Sequence, residues 1–417
     1  MSDTSIPYAL AGTQRQQDWR VITVVGIAHA SSHFFQLLLP TLYIALNRQF
    51  GYDFVSLATL VTLFYLVSCI GQASSGFLVD RIGAVPVLKF GLACFVLAAL
   101  LIASANSYWI LVLAALIGGV GNAIFHPVDY YILNHRVSPQ RLGHAFSAHG
   151  FTGNLGWALT PVFVTGLSSL FGWRVAVYAV AGLIALVLAL VWGNAAYLRG
   201  TTASETNSNA EQSLASATIL DTLKTLLSQS TLWGAFLFFA FATAAVAVVQ
   251  NYTIPLLSQT YGVDELRAGT ALSSYMLAAA GGMILGGFIA SHNPRAELVV
   301  FISLVIAGII LAVLGTGWLS ARWALVLVAL AGLCSGVSSP SRDLLIRKAT
   351  PKGATGTVYG LVYSGMDVGS SMSPLFFGLF IDAGWRQVPW FGAGLAYWVA
   401  AGLALYVAIV LRQRALK

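Results

Sequence analysis

Long apolar runs alternate with short polar turns along nearly the whole chain. A helix needs about 20 mostly apolar residues to cross ~30 Å of hydrocarbon. Twelve runs meet that length, at about 20–46, 55–79, 85–105, 108–134, 143–169, 174–197, 231–259, 268–290, 297–316, 322–346, 355–381 and 389–411. The pattern predicts an all-α membrane protein with twelve transmembrane helices. One long polar interval, 198–230, separates six runs from six. Its first part, "RGTTASETNSNAEQS", has the composition of a disordered linker. Its second, "ATILDTLKTLLSQS", sets Ile219, Leu220, Leu223, Leu226 and Leu227 at helical spacing. That spacing suits a short helix on the membrane surface, or an extension of the seventh span. The domain expectation is a six-helix bundle over 1–197, a linker over 198–230 and a second six-helix bundle over 231–417.

Composition agrees: 58% of the 417 residues are hydrophobic and 8% charged, with a mean hydropathy of +0.81. Soluble domains carry roughly 25% charge. The net charge of +7 resembles a nucleic-acid signal until the cations are placed. With the N-terminus inside, fifteen Lys and Arg, from Arg15 to Lys417, fall in inner segments, and only Arg48, Arg174, Arg267, Arg322 and Arg386 in outer loops. That asymmetry follows the positive-inside rule, so both termini are expected in the cytoplasm and no nucleic-acid partner is expected. The polar N-terminal stretch through "QRQQDWR" lacks a short apolar core and cleavage site, so no cleaved signal peptide is expected. Cys69, Cys94 and Cys334 lie far apart in apolar runs and form no readable disulfide or metal pattern.

Two polar-loop stretches repeat. Shifting "HPVDYYILNHRVSPQRLGHAFSAHGFTGNLGWALTP" by 213 residues onto "SPSRDLLIRKATPKGATGTVYGLVYSGMDVGSSMSP" superimposes Gly143 on Gly356, Phe146 on Tyr359, Gly156 on Gly369 and Pro161 on Pro374. "GQASSGFLVD" and "GGMILGGFIA" likewise align Gly71 with Gly282 and Gly76 with Gly287. The duplication predicts two pseudo-symmetric six-helix bundles, a design that lets two halves rock about a central site. Gly150, Gly153 and Gly156, with Gly281, Gly282, Gly286 and Gly287, are expected on helix-packing faces.

Polar groups inside the spans are costly in hydrocarbon and are candidates for function. "GIAHASSHFFQLLLP" places His29, His33 and Gln36 on one helical face. His126, Asp129 and Tyr130 are three and four residues apart around Pro127, and His149 precedes Asn154. In the second half stand Asp367, Arg342 beside Asp343 (itself one turn before Arg347), and Gln250 and Asn251 ahead of Pro255. Histidine titrates near neutral pH. His33, His126 and Asp129 are therefore candidates for coupling protons to substrate movement, and Asp367 for binding a proton or a cationic group.

"GFLVDRIG" (76–83) resembles the signature loop of the major facilitator superfamily, with Gly76, Asp80, Arg81 and Gly83 matching and Ala84 and Val85 where a basic pair is usual. The resemblance implies the major facilitator fold. It implies too a cytoplasmic gate in which Asp80 meets a helix N-terminus and a cation such as Arg136 or Lys348. Residues 119–156 look like the fosmidomycin-resistance group of exporters, except that the acid after His-Pro stands one place later, at Asp129, and His33 stands where an acid is usual. The family implies that spans 1, 4, 7 and 10 line a cavity, which makes His29, Gln36, Tyr130, His149, Asn154, Gln250, Asn251 and Arg342 candidate substrate contacts; helix-end capping by Gln250 and Asn251, and an Asp343–Arg347 ion pair near Arg342, are the structural alternatives. The stripe on span 1 would then face the His126–Asp129 group across water.

The expected function is a monomeric secondary transporter of the cytoplasmic (inner) membrane that exports a small organic molecule, coupled to protons. An importer or exchanger of organic anions is the alternative. No phosphate-binding loop, nucleophile elbow or metal motif occurs, so neither an enzyme nor a cofactor or metal is expected.

Overall fold

The computed structural model describes residues 8–199, 229–292, 295–349 and 355–415, and all regular structure among them is helical. The first span is broken into α1 (Tyr8–Gln36), α2 (Leu38–Thr41) and α3 (Tyr43–Phe50). Pro40 accounts for the break at Gln36, since it offers no N–H to that carbonyl and its ring crowds it. Next come α4 (Phe54–Ile82) and α5 (Ala84–Ser104). The fourth span is divided into α6 (Tyr108–Asn122) and α7 (Phe125–Arg136) just ahead of Pro127, by the same chemistry. A 3₁₀ turn, Pro139–Arg141, leads into α8 (Leu142–Phe171), followed by α9 (Trp173–Gly193) and the short α10 (Ala195–Leu198). The second half holds α11 (Ser230–Tyr261), α12 (Glu265–His292), α13 (Ala296–Gly315), α14 (Ala321–Ala349), α15 (Thr355–Asp382) and α16 (Val388–Ala415).

Taking α1–α3 and α6–α7 as one span each, and leaving out α10, this is a twelve-helix membrane protein. Nine spans among the described residues are long and apolar enough to cross a bilayer on those grounds alone. α1, α8 and α15 are outside that set, and they carry His29 and His33, His149, and Asp367. Most of the predicted linker and surface helix, residues 200–228, lies outside the described residues.

The chain forms two compact units. One contains residues up to Leu39 and Leu63–Thr202, the other Pro40–Thr62 and the chain from Ala203 onward. In the first unit the main pairings are α1 with α8, α5 with α9 and α5 with α6. In the second, α11 packs on α15, α13 on α16, and α13 on α14, so the same span partners recur. The duplicated glycines explain the match. A Cβ at Gly156 would stand 2.2 Å from the Ala30 carbonyl oxygen, and one at Gly369 would stand 2.4 Å from that of Ala240. Each repeat thus uses one glycine to bring the fifth helix onto the backbone of the first. Gly282 and Gly286 do the same between α12 and α14, each 2.3 Å from a carbonyl oxygen. Gly150, Gly281 and Gly287 depart from expectation: nothing lies within 4 Å of a Cβ built there, so they are not packing contacts.

A stack of rings fixes α1 and α7 against α5. Phe35 lies 4.5 Å from Phe95, and Phe95 lies 5.2 Å from Phe125, all nearly parallel. In the second unit, the carboxylate of Asp382 accepts hydrogen bonds from the backbone N–H groups of Phe54 and Val55, both at 2.8 Å. It caps the start of α4 with a charge of the sign that a helix N-terminus favours. Tyr43 donates to Asn251 at 3.0 Å, Tyr252 donates to the Pro374 carbonyl, and Arg48 pairs with Glu265.

Candidate functional site

The polar stripe of α1 meets α7 and α8 in the first unit. Because Gly156 admits the backbone of α1, the residues one and two turns earlier on α8 come against the histidines. The rings of His29 and His149 stack at 3.5 Å with 24° between planes. A Cβ at Gly153 would sit 3.0 Å from His29 Nε2 and 3.0 Å from His33 Cε1. Asp129, fully buried on α7, accepts through one oxygen, Oδ2, from His29 Nδ1 at 2.9 Å and His149 Nε2 at 3.2 Å. When Asp129 is ionised its oxygen only accepts, and the ring protons then lie on Nδ1 of His29 and Nε2 of His149. The expected water-filled gap between His29 and Asp129 is therefore replaced by direct contact.

His33 lies 4.6 Å from the His29 ring and 4.2 Å from that of Trp157. Both of its ring nitrogens are buried without a hydrogen-bond partner, as is Asp129 Oδ1. Such atoms each cost about 1–3 kcal/mol unless water or a ligand meets them. His126, 5.2 Å from His29, and Tyr130, 5.1 Å from His149, are exposed and give the cluster an open side. Gln36 is a strut: its amide donates to Asn122 Oδ1 at 3.0 Å, and its oxygen accepts from Trp157 Nε1 at 2.9 Å. Asn122 also accepts from Ser32 and donates to Ser68, which joins four spans. Asn154 turns to its own helix and donates to the Gly150 carbonyl.

The second unit holds the remaining candidates separately. Asn251 bonds Tyr43 and the Ala247 carbonyl, while the buried Gln250 amide nitrogen has no hydrogen-bond partner. Arg342 pairs with Asp343 at 2.9 Å and lies 5.2 Å from the Phe239 ring. Asp343 was a candidate partner for Arg347, whose side chain is outside the described residues. Asp367 is half-buried on α15 and its carbonyl accepts from Ser371.

In the signature loop, Gly83 turns the chain with φ of +86°, which favours glycine, and Arg81 is exposed. The surroundings of Gly76 and the side chains of Asp80 and Lys348 lie outside the described residues. Arg136 donates to the Tyr197 carbonyl at 2.8 Å.

Sequence reasoning passed over Asp18, one residue from a tryptophan at the polar end of α1. Its carboxylate is fully buried and accepts from Gln14, from Ser138 Oγ at 2.6 Å and from Arg141 at 2.7 Å. Burial raises its pKa, and the hydrogen bonds from Ser138, Gln14 and Arg141 more than offset that, leaving it below the ordinary carboxylate value. Asn122, Trp157 and Ser68 were also passed over. Only the tryptophan's i+4 spacing from Gly153 offered a signal.

The sequence model of the Major Facilitator Superfamily matches residues 25–374 and 249–415. The chain is 26% identical over 374 residues to the fosmidomycin resistance protein of Escherichia coli (strain K12), covering 87% of each. It is 20% identical over 352 residues to a probable L-galactonate transporter of the same organism, covering 81% of this chain and 78% of that one. It is 28% identical over 183 residues to a probable 4-methylmuconolactone transporter of Cupriavidus pinatubonensis, covering 42% and 41%. Among solved structures, a bacterial homolog of the human lysosomal transporter Spinster, in an inward-facing and occupied conformation, superposes with a TM-score of 0.70 at 13% identity, over 95% of this chain and 96% of that one. The duplicated twelve-helix fold and the family match together place the chain among transporters rather than enzymes: it belongs to the Major Facilitator Superfamily.

Proposed function

We propose that the chain is a secondary active transporter that exports a small organic molecule across the cytoplasmic (inner) membrane by alternating access, in exchange for protons. In this reading both termini are cytoplasmic and the chain works as a monomer. The supporting observation is the buried His29–Asp129–His149 contact, with His33 beside it and His126 on its open side. A carboxylate held at membrane depth is expensive, and histidine is the side chain whose unperturbed titration falls near neutral pH. His33, His126 and Asp129, with Asp367 in the second unit, are the coupling groups. His29, Tyr130, His149, Asn154, Gln250, Asn251 and Arg342 are the substrate contacts, and Gln36 serves as strut and contact. Gly76, Asp80, Arg81 and Gly83, with Arg136, form the cytoplasmic gate.

Import or exchange of organic anions is the second reading. It is favoured by the names of two relatives, a probable L-galactonate transporter and a probable 4-methylmuconolactone transporter. Proteoliposomes under an imposed pH gradient, tested with a panel of drugs and organic acids, separate the two. Gradient-driven flux of a neutral or cationic compound is expected, with Asp129→Asn and His33→Ala abolishing that flux while substrate exchange persists. Flux indifferent to the gradient overturns the coupling. Flux restricted to organic acids favours the second reading.

A further inference from the structure

The same corner of the first unit has the makings of a metal site, although no spacing in the sequence suggests one. His29 on α1, His126 on α7 and His149 on α8 each bring one possible ligand atom to a common place, with all three atoms within 4.8 Å of one another. Nitrogens around Zn²⁺, bound at ~2.0–2.1 Å, stand ~3.3 Å apart in a tetrahedron, so binding requires the stacked His29 and His149 rings to turn out of parallel until both lone pairs meet one ion.

Two further features point to a ligand there. Asp129 takes Nδ1 of His29 and Nε2 of His149, which fixes both tautomers and leaves the opposite nitrogen of each ring with its lone pair free. A carboxylate behind the imidazole is how metal-binding histidines are commonly oriented. Finally, buried polar atoms without hydrogen-bond partners adjoin the cluster: Asp129 Oδ1 and both nitrogens of His33. The exposed edge of His126 supplies the way in.

We propose that His29, His126 and His149 bind a divalent first-row transition-metal ion, with Asp129 as the positioning residue and His33 alongside. Imidazole donors without thiolates select ions of the zinc, cobalt and nickel class over Mg²⁺ and Ca²⁺. The site does not depend on proton coupling, because it is read on purified protein without a gradient.

The test is titration of tag-free full-length protein in detergent with Zn²⁺ by calorimetry, and with Co²⁺ by its visible absorption. One ion per chain is expected to bind, with Zn²⁺ displacing Co²⁺ and Mg²⁺ having no effect. His126→Gln changes an exposed side chain and is expected to weaken binding at least 100-fold with an unchanged melting temperature. Asp129→Asn is expected to weaken it 10–100-fold, the usual cost of losing a partner behind the ligands. His135→Gln and His144→Gln, outside the cluster, leave binding unaltered. Absence of saturable binding, or binding that survives His126→Gln, overturns the proposal. Binding without gradient-driven flux leaves the metal site standing and removes the coupling instead.

Discussion

Asp18 does at the polar end of α1 what Asp129 does within the bundle: one buried carboxylate gathers donors from separate segments. Its bonds run to Ser138 and Arg141, so it fastens α1 to the turn that starts α8. Removing a charged acceptor from such a set costs about 2 kcal/mol. Asp18→Asn is therefore expected to lower the melting temperature of the purified protein at neutral pH. The sign of the pH dependence follows from the depressed pKa. The contribution is fully present above the unfolded value, about 3.9, and is lost as pH falls through the lower folded value. Melting curves of wild type and variant are expected to differ by a constant amount from about pH 6 to 8 and to converge only in stronger acid, once pH has fallen below the depressed folded value. A gap that persists in acid assigns the effect to packing instead. At this scale the sequence was readable where a period exposed it. His29, His33 and Gln36 fall on one face because steps of four and three follow the helix. The direct contact of His29 with Asp129 was not readable, since it depends on a 100-residue separation in sequence and on how closely α8 approaches. Asp18 was hidden by its setting among other polar residues.

Helix approach is decided by single glycines, and the two halves agree on which. Gly156 and Gly369 each face a carbonyl oxygen at a distance no Cβ tolerates, while Gly150, a turn and a half earlier on α8, faces open space. Gly156→Ala and Gly369→Ala are expected to force their helix pairs apart, at about 1–3 kcal/mol or more each. Gly150→Ala is expected to be neutral or to raise stability by up to about 1 kcal/mol through helix propensity. Folded yield and melting temperature from fluorescence-detected size exclusion would compare the three; equal losses at Gly150 and Gly156 would refute the packing account. The helices themselves were legible from hydrophobic run length, and the repeat from glycines and prolines in register. The breaks in the first and fourth spans follow from Pro40 and Pro127. Glycine spacing alone did not separate Gly153 and Gly156, which pack, from Gly150, which does not.

For the whole molecule, the length and charge pattern carried the class, and the duplication carried the architecture. The compact units do not coincide with the six-and-six division of the sequence, because residues 40–62 make their contacts with the second half. No local signal marks that assignment. It rests on contacts made hundreds of positions away: Asp382 with the first amides of α4, Asn251 with Tyr43, Glu265 with Arg48. This has a practical consequence for anyone who dissects the gene. A fragment starting at Gln229 encodes the second unit with a piece missing, and it leaves an aspartate, an asparagine and a glutamate stripped of their partners. Such a half-molecule is expected to express poorly alone and to be rescued by a co-expressed hairpin over residues 38–64, whereas one over 84–104 gives no rescue.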